Sequence, residues 1–312
     1  LCDGWRASFP DDNRNDRRIP DNADDASIPS CLKILYKRIM TAPLPITKLA
    51  EVIERENLTP RFVLSDIDDT LTIAGKITAR ALDAMERLGD AGIVCIAVTG
   101  RPAGWCDYFA RMWPVHAVVG ENGAFYFRYD AQEQKVVRRY AIDAETRASH
   151  RKQLQVLEAD VLANVPGVQI ASDQDFRIAD LAIDYAEDVG PLGDDTIEAI
   201  LERCKAHGAT AKVSSIHVNT WYGDYDKSGM LMELLDREFG VGPEEARRTA
   251  LYIGDSPNDE PLFKAFPLSV GVANIAPFMD RFDDPPRFVC TLEEGNGFAE
   301  MADILIKSRG TT

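Results

Sequence analysis

From residue 61 onward, apolar runs of strand length alternate with runs of helical periodicity, and this rhythm constrains the fold more than any other feature of the chain. Strands are expected at 62–65, 93–98 and 117–119, with helices at 78–90 and 103–112. After an interruption the rhythm resumes, with helices at 229–239, 260–265 and 298–307 and strands at 250–253 and 268–272. Continuous apolar strands separated by helices build parallel sheets, because each parallel connection needs a long crossover that also covers a sheet face. The two stretches, 61–123 and 223–312, therefore predict one doubly wound, Rossmann-like α/β core domain.

Between them, residues 124–222 change pattern. Paired strands (125–129 with 136–142, 168–172 with 177–185, 211–214 with 216–221) are separated by single helices at 145–163 and 196–207. This predicts an inserted α+β domain whose helices cover one sheet face and leave the other free to lie over a site. Residues 1–30 are rich in Asp, Asn, Arg and Pro with few large apolar groups, the composition of a disordered acidic tail. Residues 31–60 predict a helical extension, with patterns at 32–40 and 46–56 separated by Pro43 and Pro45.

Four segments carry groups suited to chemistry. The first, Phe62-Val-Leu-Ser-Asp66-Ile-Asp68-Asp69-Thr70, sets two carboxylates where an apolar strand gives way to a loop, the end at which open parallel sheets bind ligands. Alone, D-x-D-x-T reads equally well as a solvated turn or helix cap. The second is Val98-Thr99-Gly100-Arg101, whose hydroxyl and backbone amides suit a phosphate oxygen, or else cap a helix. In the third, Asp226-Lys227-Ser228-Gly229, Lys227 can offset crowded negative charge or stand as a surface lysine. The fourth, Ile253-Gly254-Asp255-Ser256-Pro257-Asn258-Asp259, offers acids to a hard cation, or forms an Asx-rich turn.

Asp-x-Asp, Thr, Lys and Gly-Asp-x-x-x-Asp in this order resemble the haloacid dehalogenase (HAD) superfamily of phosphotransferases. Glu121-Asn122-Gly123-Ala124 before the insert resembles the type with a C2 cap, which includes Cof-type sugar phosphatases, sucrose-phosphate phosphatase and phosphomannomutase. The resemblance implies a magnesium-dependent phosphoric monoester hydrolase acting on a small phosphate ester such as a sugar phosphate. It implies that Asp66 attacks phosphorus to form an aspartyl-phosphate, and that Asp68 protonates the leaving oxygen and then activates water. Thr99 and Lys227 would hold the transferring group. Magnesium would be held by Asp66, the main-chain carbonyl of Asp68 and Asp255, with Asp259 or Asn258 in support. A phosphomutase and a non-catalytic binding protein are the alternatives. Asp69 stands where phosphomannomutases of this pattern generally have Gly, which weighs against the mutase.

Period-two alternation in 215–222 sets His217, Asn219 and Trp221 on one face, with Ile216 and Val218 facing the insert's helices. Asn219 would then bond sugar hydroxyls and Trp221 stack on a ring, and Gly100, Arg101, Asn122 and Asn258 complete the candidate substrate contacts. With 51 Asp+Glu against 35 Lys+Arg, a net charge of -16 argues against nucleic acid as a partner. The six cysteines form no C-x-x-C pair and read as reduced structural thiols. There is no apolar run of the ~20 residues a bilayer needs, and the first residues are too polar for a signal segment, so a cytoplasmic enzyme is expected. The chain begins at Leu1, which leaves an upstream segment open. No zinc spacing, G-x-S-x-G or P-loop occurs; in the third segment, Asp226 stands where a P-loop requires glycine.

Overall fold

The computed structural model describes residues 42–309 apart from Ser215. The expected tail at 1–30 and helix at 32–40 lie outside the described residues.

Five strands form the parallel centre of the larger sheet: β2 (Phe62–Asp66), β5 (Val94–Val98), β6 (Ala117–Gly120), β13 (Ala250–Gly254) and β14 (Leu268–Gly271). Their side chains alternate between two apolar layers. Val63, Cys95, Ala97, Leu251 and Ile253 pack on one face with Met85, Leu88, Phe298 and Met301, while Phe62, Leu64, Ile96 and Val98 pack on the other with Leu231, Leu234, Leu235 and Phe263. Helices α2 (Ala79–Asp90), α3 (Ala103–Met112) and α9 (Glu294–Arg309) supply the first layer, and α6 (Lys227–Phe239), α7 (Pro243–Thr249) and α8 (Glu260–Ala265) the second. Each fully buried Leu in these layers contributes roughly 1.5–3 kcal/mol relative to exposure.

With β1 (Leu44–Pro45), β7 (Phe125–Asp130), β8 (Lys135–Tyr140) and β15 (Phe288–Val289), the sheet has nine strands among the described residues, in the order β1-β15-β14-β13-β2-β5-β6-β7-β8, while β3 (Thr72–Ile73) and β4 (Lys76–Ile77) form a separate small hairpin. The chain runs from β2 outward through β5 and β6 on one side and returns on the other side through β13 and β14. The carboxyl end of β2 is therefore a topological switch point, where a crevice opens between diverging loops. The edge pair is unexpected: β1 (Leu44–Pro45) runs parallel to β15 (Phe288–Val289), so the extension before residue 61 adds a strand as well as the short helix α1 (Leu49–Arg55).

At the opposite edge the structure corrects the boundary set at residue 124. Strands β7 (Phe125–Asp130) and β8 (Lys135–Tyr140), expected in the insert's own sheet, continue the core sheet antiparallel from β6, with Gly120 opposite Phe125. The turn Glu121–Gly123 reverses the chain so tightly that the hairpin has only the β6 edge to pair with.

The second sheet has the order β11-β12-β10-β9, from β9 (Gln169–Ile170), β10 (Asp180–Asp184), β11 (Thr210–Val213) and β12 (His217–Trp221), all antiparallel. Helices α4 (Ala144–Asn164) and α5 (Asp194–Ala206) cover one face, packing Leu157, Val161, Ile200 and Cys204 against Leu181, Ile183 and Val218. Asp143 starts α4 by accepting the Thr146 amide at 2.9 Å, and Thr78 and Asp226 cap α2 and α6 in the same way. The other face carries the polar residues His217, Asn219 and Trp221 of β12, opposite Asp184, Ala182 and Asp180 of β10.

Candidate active site

Asp66 is the last residue of β2 and ends the switch-point strand, 6% exposed as a residue. Lys227, at the start of α6, donates from Nζ to Asp66 Oδ1 at 2.9 Å and lies 3.7 Å from Asp259 Oδ1. Its backbone is held in place by Gly123, at φ 102°, where a Cβ would sit 2.1 Å from the Asp226 carbonyl oxygen. Only glycine permits that approach, so the Glu121–Gly123 turn sets the position of the lysine.

Asp255 follows β13 and brings a second buried carboxylate to the site; ligand atoms of Asp66, Asp255 and Asp259 all lie within 4.8 Å of one another. Asp259 differs from the other two because both of its oxygens are engaged. Tyr252 Oη donates to Oδ1 at 2.5 Å, and the amides of Asp255 and Ser256 donate to Oδ2 at 3.0 and 3.3 Å. Gly254 leaves room for this, since a Cβ there would meet Asp259 Oδ2 at 2.3 Å.

The charge balance is unfavourable without a cation. Burial pushes the Asp66 carboxyl up to about 8, opposed by Lys227 and reinforced by Asp259 and Asp68. Burial, then Asp259 and Asp66, push Asp255 up to about 9. Burial alone would pull the Lys227 ammonium down, but Asp66 and Asp259 outweigh it and hold it above its ordinary value. One lysine does not neutralise three clustered carboxylates, and a compact group of hard oxygen donors with excess negative charge suits a divalent cation such as magnesium.

Asp68 lies beyond the strand and faces the same cavity, gripped by Arg101. The guanidinium donates from Nε to both carboxylate oxygens (3.1 and 3.0 Å) and from Nη2 to Oδ1 (2.9 Å), while Nη1 reaches Glu187 at 3.2 Å. Arg101 lines the cavity, but its donors orient Asp68 and bind the insert instead of waiting free for a substrate. Thr99, 1% exposed, lies behind the cavity wall, where its Oγ1 accepts the Arg101 amide at 3.0 Å. Asp69 has φ 55°, a left-handed conformation that Gly adopts freely and Asp tolerates, so the Asp-for-Gly departure from the mutase pattern reports the local backbone.

Three residues tie the insert to this site, and sequence reasoning gave them no role. Glu121, fully buried, accepts the amides of Ala103, Ile178, Ala179 and Asp180. Burial and the neighbouring Asp180 push its carboxyl up, against the pull of Arg177 and these amides. Arg177 donates to the Gly100 carbonyl at 2.9 Å and pairs with Asp173 and Asp180. Glu187 bridges Arg101 and His217, whose Nε2 lies 2.9 Å away; the His217 contact, outweighing burial, and Arg101 bring its carboxyl down to about 2. The one available signal was Glu121 in its four-residue motif; an isolated Arg or Glu in an insert carries none.

Two cavities meet under the insert's polar face. The inner one is lined by Asp66, Asp68, Gly100, Arg101, Asn122, Lys227, Asp255, Asn258, Asn219 and His217 among others. Ile216 lines it too, against the expectation that it packs on the insert's helices, because β12 begins only at His217 and the alternation does not extend back to it. The outer one shares Asn122, Ser214, Asn219, Lys227 and Asn258 with the inner and adds Lys212 and Trp221. Asn219 donates from Nδ2 to Asp180 at 3.2 Å. Trp221 is 2% exposed and stacked on Tyr225 with centroids 5.9 Å apart, so it forms a wall of the outer cavity where stacking on a substrate ring had been expected.

Residues 63–164 match the family model of haloacid dehalogenase-like hydrolases. No curated protein matches the sequence. Solved structures share the fold at low identity. A Thermoplasma acidophilum protein is 16% identical, covering 79% of this chain and 98% of its own at a TM-score of 0.62. A Plasmodium vivax protein described as a HAD/COF-like hydrolase is 17% identical, with coverage of 83% and 99% and a TM-score of 0.61. The sucrose-phosphatase of Synechocystis sp. PCC6803, solved with sucrose and phosphate, is 17% identical, with coverage of 80% and 98% and a TM-score of 0.56. Over residues 63–164 the chain is thus similar to haloacid dehalogenase-like hydrolases, and over most of its length it shares the fold of these solved structures.

Proposed function

We propose that the protein is a magnesium-dependent phosphatase that hydrolyses a small phosphorylated metabolite, a sugar phosphate by preference, through an aspartyl-phosphate. The observation that carries this reading is the pair Asp66 and Asp68 facing one cavity at the switch point, with Lys227 on Asp66 and Asp255 beside it. Asp66 Oδ1 is held by Lys227, which leaves Oδ2 to attack phosphorus in line with the leaving oxygen. As the bond to the leaving oxygen breaks, Asp68 supplies its proton. In the second half Asp68 takes a proton from water, which attacks the aspartyl-phosphate and releases phosphate.

The amides near Gly100 would bind equatorial oxygens, with Thr99 fixing the Arg101 backbone behind them, and Lys227 would hold the phosphoryl group and, together with the cation, keep Asp66 ionised. Magnesium bound by Asp66, the Asp68 carbonyl and Asp255 would neutralise charge on those oxygens. Asp259, with both oxygens engaged by its own loop and Tyr252, would hold Asp255 and Lys227 in register. The C2-type cap, here 142–222, would close the site over the leaving group. Free thiols at Cys95, Cys106, Cys204 and Cys290 fit a cytoplasmic location.

The test is phosphate release from a panel of sugar and other phosphate esters, with wild type beside Asp66→Asn. Stoichiometric release that needs magnesium and vanishes in the variant is expected. Release that persists in Asp66→Asn refutes the mechanism, and turnover without free phosphate marks a mutase.

A further inference from the structure

Taking the phosphatase reading as its starting point, the outer cavity identifies the rest of the substrate. Its lining is rich in donors that the protein leaves unused. Trp221 Nε1 is buried and has no hydrogen-bond partner, and neither has Asn122 Nδ2. An indole N–H can only donate, so it is available to an acceptor, from water or from a ligand, that comes within reach. Lys212 sits directly opposite Asn219 in the β11–β12 ladder, which puts both on the polar face, and it pairs with no carboxylate among the described residues. In a chain of net charge -16, a lysine without an acid partner at a cavity wall stands out.

The acceptors in the lining are largely engaged. Asp226, its one acid, spends Oδ1 on the Gly229 amide at 2.7 Å, and Asn258 Oδ1 accepts the Ser256 hydroxyl at 3.0 Å. Val213, Pro261 and Leu262 supply the apolar part of the wall. The inner cavity, by contrast, is already charged for the transferring phosphate by Asp66, Asp68, Asp255 and Lys227.

We infer that the outer cavity receives a second anionic group, carried by the alcohol that leaves, with Lys212 as its counter-ion and Trp221 Nε1 and Asn122 Nδ2 as its hydrogen-bond donors. The preferred substrates are then phosphate esters of sugar acids or sugar bisphosphates, not neutral sugar phosphates. A carboxylate and a second phosphate offer the same chemistry to these donors, and comparison of the two separates them.

The experiment measures kcat/KM for glucose 6-phosphate, 6-phosphogluconate and glucose 1,6-bisphosphate. Wild type should favour one of the anionic esters over glucose 6-phosphate by about tenfold or more, the scale of one charge-assisted hydrogen bond. Lys212→Met should cut that ratio about fivefold, the scale of one partly exposed ion pair. Trp221→Phe, which keeps a ring and removes the N–H, should cut it further. Equal kcat/KM for all three esters, or a ratio that Lys212→Met leaves untouched, overturns the inference. Should no ester turn over, thermal shifts of Asp66→Asn with the same three compounds decide: selective binding of the anionic pair sustains the inference while sinking the phosphatase reading, and equal or absent shifts sink the inference.

Discussion

Glu121 gives the most direct test of how the insert is held over the site. Its Oε1 accepts the amides of Ala103 (2.9 Å) and Ile178 (3.0 Å), and its Oε2 those of Ile178, Ala179 and Asp180 (3.2, 2.6 and 3.2 Å). In Glu121→Gln one oxygen becomes an NH2 that must face these donors. With nitrogen in the Oε1 position the Ala103 amide is orphaned; in the Oε2 position, those of Ala179 and Asp180 are. Even the cheaper choice leaves the Ala103 N–H unpaired and sets the new NH2 against donors, a loss of at least about 1–3 kcal/mol, and it strikes the amide that opens α3 just beyond Arg101. Glu121→Ala strips all four amides and should cost more than Glu121→Gln. Urea unfolding supplies ΔG and m together, so a change in stability can be told from a change in compactness. A fall in kcat/KM should accompany the loss, because Arg101 and the cap return are anchored through the same carboxylate. If Glu121→Gln unfolds within about 0.5 kcal/mol of wild type, the range of a neutral surface change, the carboxylate does not carry these amides and the latch is refuted.

Cation binding should depend on pH with a definite sign. Asp66 and Asp255, raised to about 8 and about 9 from the ordinary carboxyl value of about 4, keep protons that the unfolded chain has already lost, so metal-free protein should lose stability as pH rises from about 4 towards 8. Magnesium must displace those protons, so its thermal shift against EDTA should grow between pH 6 and pH 8; a shift that is flat or shrinks contradicts this. Gly123→Ala should lower kcat at least about tenfold, since a Cβ 2.1 Å from the Asp226 oxygen must displace Lys227, and steady-state kinetics of folded protein reads this directly. Asp69→Gly should raise stability by about 1 kcal/mol by relieving φ 55°, measured by urea unfolding. Arg101→Lys should reduce kcat more than it raises KM, because a lysine keeps the charge but loses the fork that fixes Asp68.

The parts of the fold that were legible in the sequence are those whose cause is local. The central strands read as strands because burial on both faces demands continuous apolar residues, as in Val-Cys-Ile-Ala-Val at 94–98. The hairpin of β7 and β8 was also visible as two strands, but not which sheet it joins; that is decided by the Glu121–Gly123 reversal, where Gly123 marks a turn but the left-handed φ values at Glu121 and Asn122, which set its direction, fall on residues that do not announce them. Strands β1 and β15, two residues each, are too short for any periodicity to reveal.

The same division runs through the site. That Asp66, Asp68, Lys227 and Asp255 would line one cavity could be expected, because each stands at or just past the end of a strand or at the start of a helix, where chain direction alone brings it to the switch point. Arg101 was seen but misjudged, since only its distances to Asp68 and Glu187 show that its donors are spent. Arg177 and Glu187 come to the site only when the insert's sheet lies over it, and nothing near them in sequence encodes that docking. Buried ion pairs are weak sources of stability but do fix geometry. Arg177, 1% exposed with two acids and the Gly100 carbonyl, and Arg101, shared between Asp68 and Glu187, connect the residue expected to move protons with the surface expected to choose the leaving group. In such an arrangement a substitution on the insert that breaks Glu187 from Arg101 should act on Asp68 as well. Glu187→Gln is therefore expected to alter kcat for every ester alike, whereas changes at Lys212 should alter one ester relative to another.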